Sequence, residues 1–194
     1  MKTWQREIAR QDEFITSELH HAKYFAHALK VLVPDVREVA EIGVYKGRMT
    51  KRFLRIYPDV QYHMIDTWRW MDNGTKIAQR TNPEHWERIY SRILDQFGPR
   101  ENCHIYKGFS VDVARRFADG SLDACFIDAG HNYDSVVTDI HAWMPKVRKG
   151  GLLAGHDYRQ RGPHRDVGRA VNDVLGKDNL HIGTDSVWLY FMGE

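Results

Sequence analysis

The feature that most constrains this chain is a repeated alternation of short apolar runs with segments of helical periodicity. "REVAEIG" (37–43), "VQYHMID" (60–66), "CHIY" (103–106), "LDACFID" (122–128) and "GGLLAGHD" (150–157) read as strands. Between them lie helical patterns. Met49, Phe53, Leu54 and Tyr57 form one, stopped by Pro58. Trp86, Ile89, Tyr90, Ile93 and Phe97 form another, behind an Asn82 cap with Pro83 at the first helical position. "SVDVARRF" is a short helix, Tyr133 to Val147 a longer one, and "RDVGRAVNDVL" the last. "LDACFI" is apolar almost throughout, as in strands covered on both faces. Such alternation gives a mostly parallel sheet with right-handed crossovers. The final two strands, around Leu180–Ile182 and Val187–Phe191, differ. Only "GTDS" separates them, which is too short for a parallel crossover and suits a hairpin. The expectation is an α/β, Rossmann-like open sheet of seven strands, helices on both faces, its last strand antiparallel.

Ahead of the sheet, Ile15, Leu19, Ala22, Ala26, Leu29 and Val33 recur at steps of three and four and predict one long helix ended by Pro34. Residues 1–34 thus read as a helical extension on a core of residues 35–194, all within a single domain. The extension suits either a cover or a homo-oligomer surface, and its pattern does not choose. A formal charge of +2 gives no electrostatic footing for nucleic acid. No apolar run approaches the ~20 residues of a membrane span. The charged opening "MKTWQREIARQDEF" is unlike a signal peptide, so a cytoplasmic protein is expected. Cys103 and Cys125 both fall in strands and are expected as buried thiols.

The corner after the first strand reads "EIGVYKG", residues 41–47. It is not a phosphate loop, because Gly47 is followed by Arg48 and Met49 rather than Lys and Ser or Thr. It is not the dinucleotide fingerprint, because position 45 is Tyr. What remains is Glu-x-Gly-x-x-x-Gly. Gly43 and Gly47 let backbone come close to a ligand, and Glu41 offers negative charge to a cationic group. Asp66 ends the second strand 23 residues after Gly43, the distance at which a carboxylate takes the hydroxyls of a ribose. A ligand with a ribose and a cationic end, but no phosphate to cradle, points to S-adenosyl-L-methionine.

"AEIGVYKGRMT", "MIDTW", "KGFS" and "FIDAGHNYDSVVTDIHAWMPKVRKGGLLAGHDY" together resemble the class I S-adenosylmethionine-dependent methyltransferases. Within these the match is to the branch of macrocin-type O-methyltransferases that modify sugars and antibiotics. The resemblance runs from about Val36 to the end and implies strand order 3-2-1-4-5-7-6. It also implies that Glu41, Gly43, Tyr45 and Gly47 border the methionine part of the cofactor and that Asp66 holds the ribose. Trp68 would lie against the adenine or wall the substrate cleft, and Gly108, Phe109 and Ser110 would meet the adenine edge.

"FIDAGH" and "LLAGHDY" end the fourth and fifth strands, which are neighbours in that topology, so Asp128, His131, His156 and Asp157 can converge. Related metal-dependent enzymes carry an acid at the first position and a pair of acids, or an acid with Asn, at the second. Here that pair is His156-Asp157, a departure from the pattern. A divalent cation on Asp128, His156 and Asp157 would orient an acceptor hydroxyl and lower its proton affinity. Among magnesium, manganese, iron and zinc, an imidazole ligand favours the last three over magnesium. Without a metal, Asp128 or His131 would act as general base. The "WRWMDNG" segment, with His164 and Arg165, is where a substrate lid would fall. The leading function is methyl transfer to a hydroxyl of a small molecule or glycan. The competing ones are base N-methylation of nucleic acid, a metallohydrolase on the His/Asp cluster, and a cofactor-binding module without catalysis.

Overall fold

A computed structural model of the chain describes residues 1–12, 20–69, 81–158 and 165–193. Its frame is a seven-stranded sheet of order β3-β2-β1-β4-β5-β7-β6. The strands are β1 (Glu38–Ile42), β2 (Gln61–Asp66), β3 (Cys103–Lys107), β4 (Leu122–Ile127), β5 (Val147–Gly155), β6 (His181–Ile182) and β7 (Trp188–Phe191). The first five pair in parallel, while β7 runs antiparallel to both β5 and β6. The hairpin expected from "GTDS" is therefore present. β5 starts earlier than its apolar run, at Val147.

The helices are α1 (Thr3–Asp12), α2 (His21–Leu32), α3 (Arg48–Phe53), α4 (Pro83–Phe97), α5 (Ser110–Ala114), α6 (Tyr133–Trp143) and α7 (Arg165–Leu175). The cap at Asn82 is as expected: its side chain accepts the His85 N–H at 2.9 Å. Asn132 does the same for α6 through the Ser135 N–H. The expected single N-terminal helix is instead two. α1 begins at Thr3, earlier than the periodicity suggests, and α2 is capped by His20, whose Nδ1 accepts the Ala22 N–H at 3.2 Å. Ile15 and Leu19, which suggested one helix, lie outside the described residues.

Side chains alternate across the strands, so the sheet has a core on each face. Val39, Met64, Phe126, Leu152 and Leu189 face one core, against Trp4, Ile8, Phe25, Leu29, Phe53, Ile93 and Phe97 of α1 to α4. Ala40, Ile42, Cys125, Leu153 and Trp188 face the other, against Val113, Ile140, Trp143 and Val171 of α5 to α7. Burying each large apolar side chain favours the fold by roughly 1.5–3 kcal/mol. The N-terminal extension is thus part of the first core. Gln5 reinforces this, its amide donating to the carbonyls of Asp178 and Leu180 beside β6. Cys103 and Cys125 are buried free thiols. Among the described residues no helix is long and apolar enough to cross a membrane.

Candidate functional site

The order in which successive strands are laid across the sheet reverses between β1 and β4, and open α/β sheets hold ligands outside the carboxyl ends of strands at such a point. Gly43 follows β1 and Asp128 follows β4. Asp128 N–H donates to the Ile42 carbonyl at 2.7 Å, and Gly43 N–H donates to Ile65 at 2.8 Å. Gly43 has φ +93°, and a Cβ there would overlap the Asp128 carbonyl. Its need for glycine comes from the end of β4. Gly47, at φ +67°, starts α3, and a Cβ there would press on the Phe97 ring. Close approach to the protein itself, rather than to an open ligand face, accounts for both glycines.

Asp66 fastens this corner. Its Oδ2 accepts the Tyr45 N–H and its Oδ1 the Trp68 N–H, each at 2.8 Å. Burial pushes its carboxyl above the ordinary value, against the pull of those donors. Trp68, expected at the adenine or the substrate cleft, is fully buried. Its ring packs on Tyr90 at 5.2 Å and its Nε1 donates to the Tyr45 carbonyl at 2.9 Å. Tyr45 sits at φ +50° with its ring against Trp86. The rest of the "WRWMDNG" segment beyond Arg69, and His164, lie outside the described residues, as does the Arg165 side chain.

Glu41 is also internal, at 1% exposure. Its Oε2 accepts from the Thr50 hydroxyl at 2.6 Å and the Tyr62 hydroxyl at 2.8 Å. Burial raises its pKa from 4.5 to about 8, and the two donors offset this only in part. At neutral pH the group is mostly a neutral hydrogen-bonding acid, not the fixed charge the sequence suggested.

The open side of the corner lies further along. Thr67, Arg69, Glu87, Lys107, Gly108 and Phe109 line a cavity of about 390 Å³ beyond β2 and β3. Phe109 is half exposed at its rim. Ser110 faces inward instead: its Oγ accepts from Trp143 Nε1 at 2.7 Å and bonds the buried Asp139. The predicted trio Gly108, Phe109 and Ser110 is therefore split, two residues at the cavity and one anchoring α5 to α6.

On the other side of Gly43, the acids and histidines do converge. The ligating atoms of Asp128, His131 and Asp157 lie within 4.8 Å of one another. His131 Nε2 is 2.8 Å from Asp157 Oδ2 and 3.9 Å from Asp128 Oδ1. His156 stands beside this group, its Nδ1 3.5 Å from Asp157 and 3.8 Å from Asp128. Asp157 holds φ +56°, a left-handed backbone that costs of order 1 kcal/mol or more and aims its carboxylate inward. Burial pushes Asp128 up to about 6. Burial would also push Asp157 up, but His131 and His156 overcome it and hold Asp157 below the usual carboxylate range. Burial alone would depress His156, but Asp157 and Asp128 lift it to about 9. His131 is raised by its contact with Asp157.

Three residues of this region escape sequence reasoning. His20 and His21, at the start of α2, and Asp185, in the β6–β7 turn, bring ligating atoms within 4.8 Å of one another. Asp185 Oδ2 accepts the His21 N–H at 3.0 Å and lies 3.0 Å from His21 Nδ1. Positions 21 and 185 are 164 apart in the chain, so no local spacing announces the pair.

A sheet of this order, with a glycine corner at its reversal point and acids beyond β1, β2 and β4, defines the class I methyltransferase fold. The chain belongs to the family described as a methyltransferase domain, whose family model matches residues 40–158. Membership brings S-adenosylmethionine as methyl donor. Solved structures support the fold. The O-methyltransferase NovP is 16% identical, with TM-score 0.65, covering 89% of this chain and 79% of that one. CalS11, a TDP-rhamnose 3'-O-methyltransferase of calicheamicin biosynthesis, is 18% identical, with TM-score 0.60 and coverage of 98% and 94%. PaMTH1, a methyltransferase of Podospora anserina bound to S-adenosylhomocysteine, is 10% identical, with TM-score 0.62 and coverage of 98% and 88%. None of the curated proteins matches the sequence significantly.

Proposed function

We propose that the protein methylates a hydroxyl group of a small molecule or sugar, with a divalent cation held by Asp128, His131 and Asp157. The observation that carries this is the convergence of those three side chains beside Gly43, at the reversal point of the sheet. Two carboxylates and an imidazole form a borderline-hard donor set that suits manganese, iron or zinc better than magnesium. We take His131 as the third ligand in place of the expected His156, because the ligating atoms of His131 and the two acids all lie within 4.8 Å of one another. A cation bound there would supply positive charge that lowers the proton affinity of an acceptor hydroxyl. The sulfonium of the donor supplies an electrophilic methyl.

The chain's own residues supply placement. The ribose and adenine would lie over Asp66 and along the Thr67, Gly108 and Phe109 cavity. Asp66 can take ribose hydroxyls with the remaining lone pairs of the oxygens that hold Tyr45 and Trp68. An Asp128 carboxylate oxygen not engaged by the cation would receive the hydroxyl proton. The near-neutral charge and the sequence Asp128-Ala129-Gly130-His131 after β4 favour an oxygen acceptor over a nucleic-acid base.

The test is a panel of hydroxylated acceptors with methyl-labelled S-adenosylmethionine, run with and without chelator. The proposal expects a methyl ether as product, loss of turnover in chelator, and recovery on adding manganese or zinc. Asp128→Asn should lower turnover at least ~100-fold. Full turnover in chelator would remove the cation and leave Asp128 or His131 as base.

A further inference from the structure

His156 separates two groups of ligating side chains. Its Nδ1 faces Asp128 and Asp157, while its Nε2 points the other way, 3.7 Å from Asp185 Oδ2. That Nε2 is buried and has no hydrogen-bond partner among the described residues. Around it stand His21, with ring centroids 4.5 Å apart, and His20, whose ring is 3.8 Å from that of His21. His20, His21 and Asp185 thus meet where α2 begins and β6 turns into β7, and His156, past the end of β5, reaches the same carboxylate.

We infer that His20, His21, His156 and Asp185 form a second divalent-cation site, of the zinc-binding class, next to the proposed acceptor site. Four nitrogen and oxygen ligands make a closed zinc shell. Zinc bonds near 2.05 Å in a tetrahedron put neighbouring ligand atoms roughly 3.3 Å apart. The separations of 3.0 Å from His21 Nδ1 to Asp185 and 3.7 Å from His156 Nε2 to Asp185 bracket that value. His156 also has the outer support such a ligand needs, because its other ring nitrogen faces carboxylates. Asp185 is held for the task at φ +54° by the His21 N–H.

A cation already stands at this place. Arg52 Nη1 lies 2.8 Å from His20 Nε2, and the Ala22 N–H occupies Nδ1 of the same ring. Both neighbours are donors, and a neutral imidazole has one lone pair to give. Ligation through Nε2 leaves the ring proton on Nδ1, so the ion displaces Arg52, whose long side chain is only half-buried, and the Ala22 N–H gives up its cap as well. Binding would move the proton that His21 Nδ1 shares with Asp185 to Nε2 of the same ring and swing Arg52 outward. The bound ion would tie the start of α2 to the β6–β7 turn and wall the acceptor side of the cleft.

Zinc stoichiometry on the untagged full chain tests this, by metal analysis after equilibrium dialysis. With the first cation site as proposed above, wild type should hold two zinc ions per chain. Asp185→Asn and His21→Gln should each hold one, and Asp128→Asn should lose the other one. Arg52→Gln should bind the second ion about tenfold more tightly, because a like charge beside the site is gone. If Asp185→Asn and His21→Gln match wild type in stoichiometry, or if Arg52→Gln leaves zinc affinity unchanged, the second site is overturned. That outcome leaves the methyltransferase reading intact. Conversely, two zinc ions with no affinity for S-adenosylhomocysteine would sink that reading and keep this one.

Discussion

Replacing Glu41 by Gln isolates a buried ionisation. Glu41 is 1% exposed and its pKa rises from 4.5 to about 8. Between those values the folded chain keeps a proton that the unfolded chain has released. Stability therefore falls as pH rises through that window, at most about 1.36 kcal/mol per pH unit. Integrated from pH 5 to pH 8, this one group costs the fold roughly 3–4 kcal/mol. Gln keeps an oxygen to accept from Thr50 and Tyr62, and cannot ionise. Urea unfolding of both proteins at pH 5 and pH 8 measures the effect. The stability of Glu41→Gln relative to wild type should rise by up to roughly 3–4 kcal/mol between the two conditions. A difference independent of pH would mean that Glu41 is ionised in the fold, and the case for a neutral acid at this corner would be lost.

Gly43→Ala should be severe, because its φ of +93° and the Asp128 carbonyl leave no room for a methyl group. Loss of at least ~2 kcal/mol in thermal or urea unfolding is expected. Trp68→Phe removes the hydrogen bond to the Tyr45 carbonyl and should cost about 1–2 kcal/mol by the same assay. Ser110→Ala leaves Trp143 Nε1 without its acceptor, so it should destabilise by about 1–3 kcal/mol. Its effect on affinity for S-adenosylhomocysteine, read by calorimetry, should be small beside that of changing Asp66.

The strands and the hairpin were legible because they rest on local rules, whereas the strand order came from the family resemblance. "LDACFI" is apolar almost throughout because β4 is covered on both faces, and "GTDS" is too short for anything but a hairpin. Asp128, His131 and Asp157 were legible because neighbouring strand ends bring them together whatever the loops do. Trp68 and Ser110 were read as ligand contacts because a residue's place beyond a strand does not say which way its side chain turns. Trp68 turns into the core at φ +38°, onto Tyr90. Glu41 was read as a charge because burial, which the sequence does not print, decides its ionisation. The N-terminal helix was read from Ile15 onward, although Trp4 and Ile8, four apart and both buried, carry the signal for α1. His21 and Asp185 meet only through tertiary packing of α2 under the β6–β7 turn.

The proposed chemistry requires that the methyl donor bind in a groove along the ends of β1, β2 and β3. Calorimetric titration of the untagged chain with S-adenosylhomocysteine tests it most directly, with Asp66→Asn alongside. Wild type should give saturable heat at one ligand per chain, and Asp66→Asn, which loses both the ribose acceptor and part of the loop's support, should bind at least ~10-fold more weakly. An absence of heat from folded wild type at millimolar ligand would contradict it, and so would equal affinity in the variant.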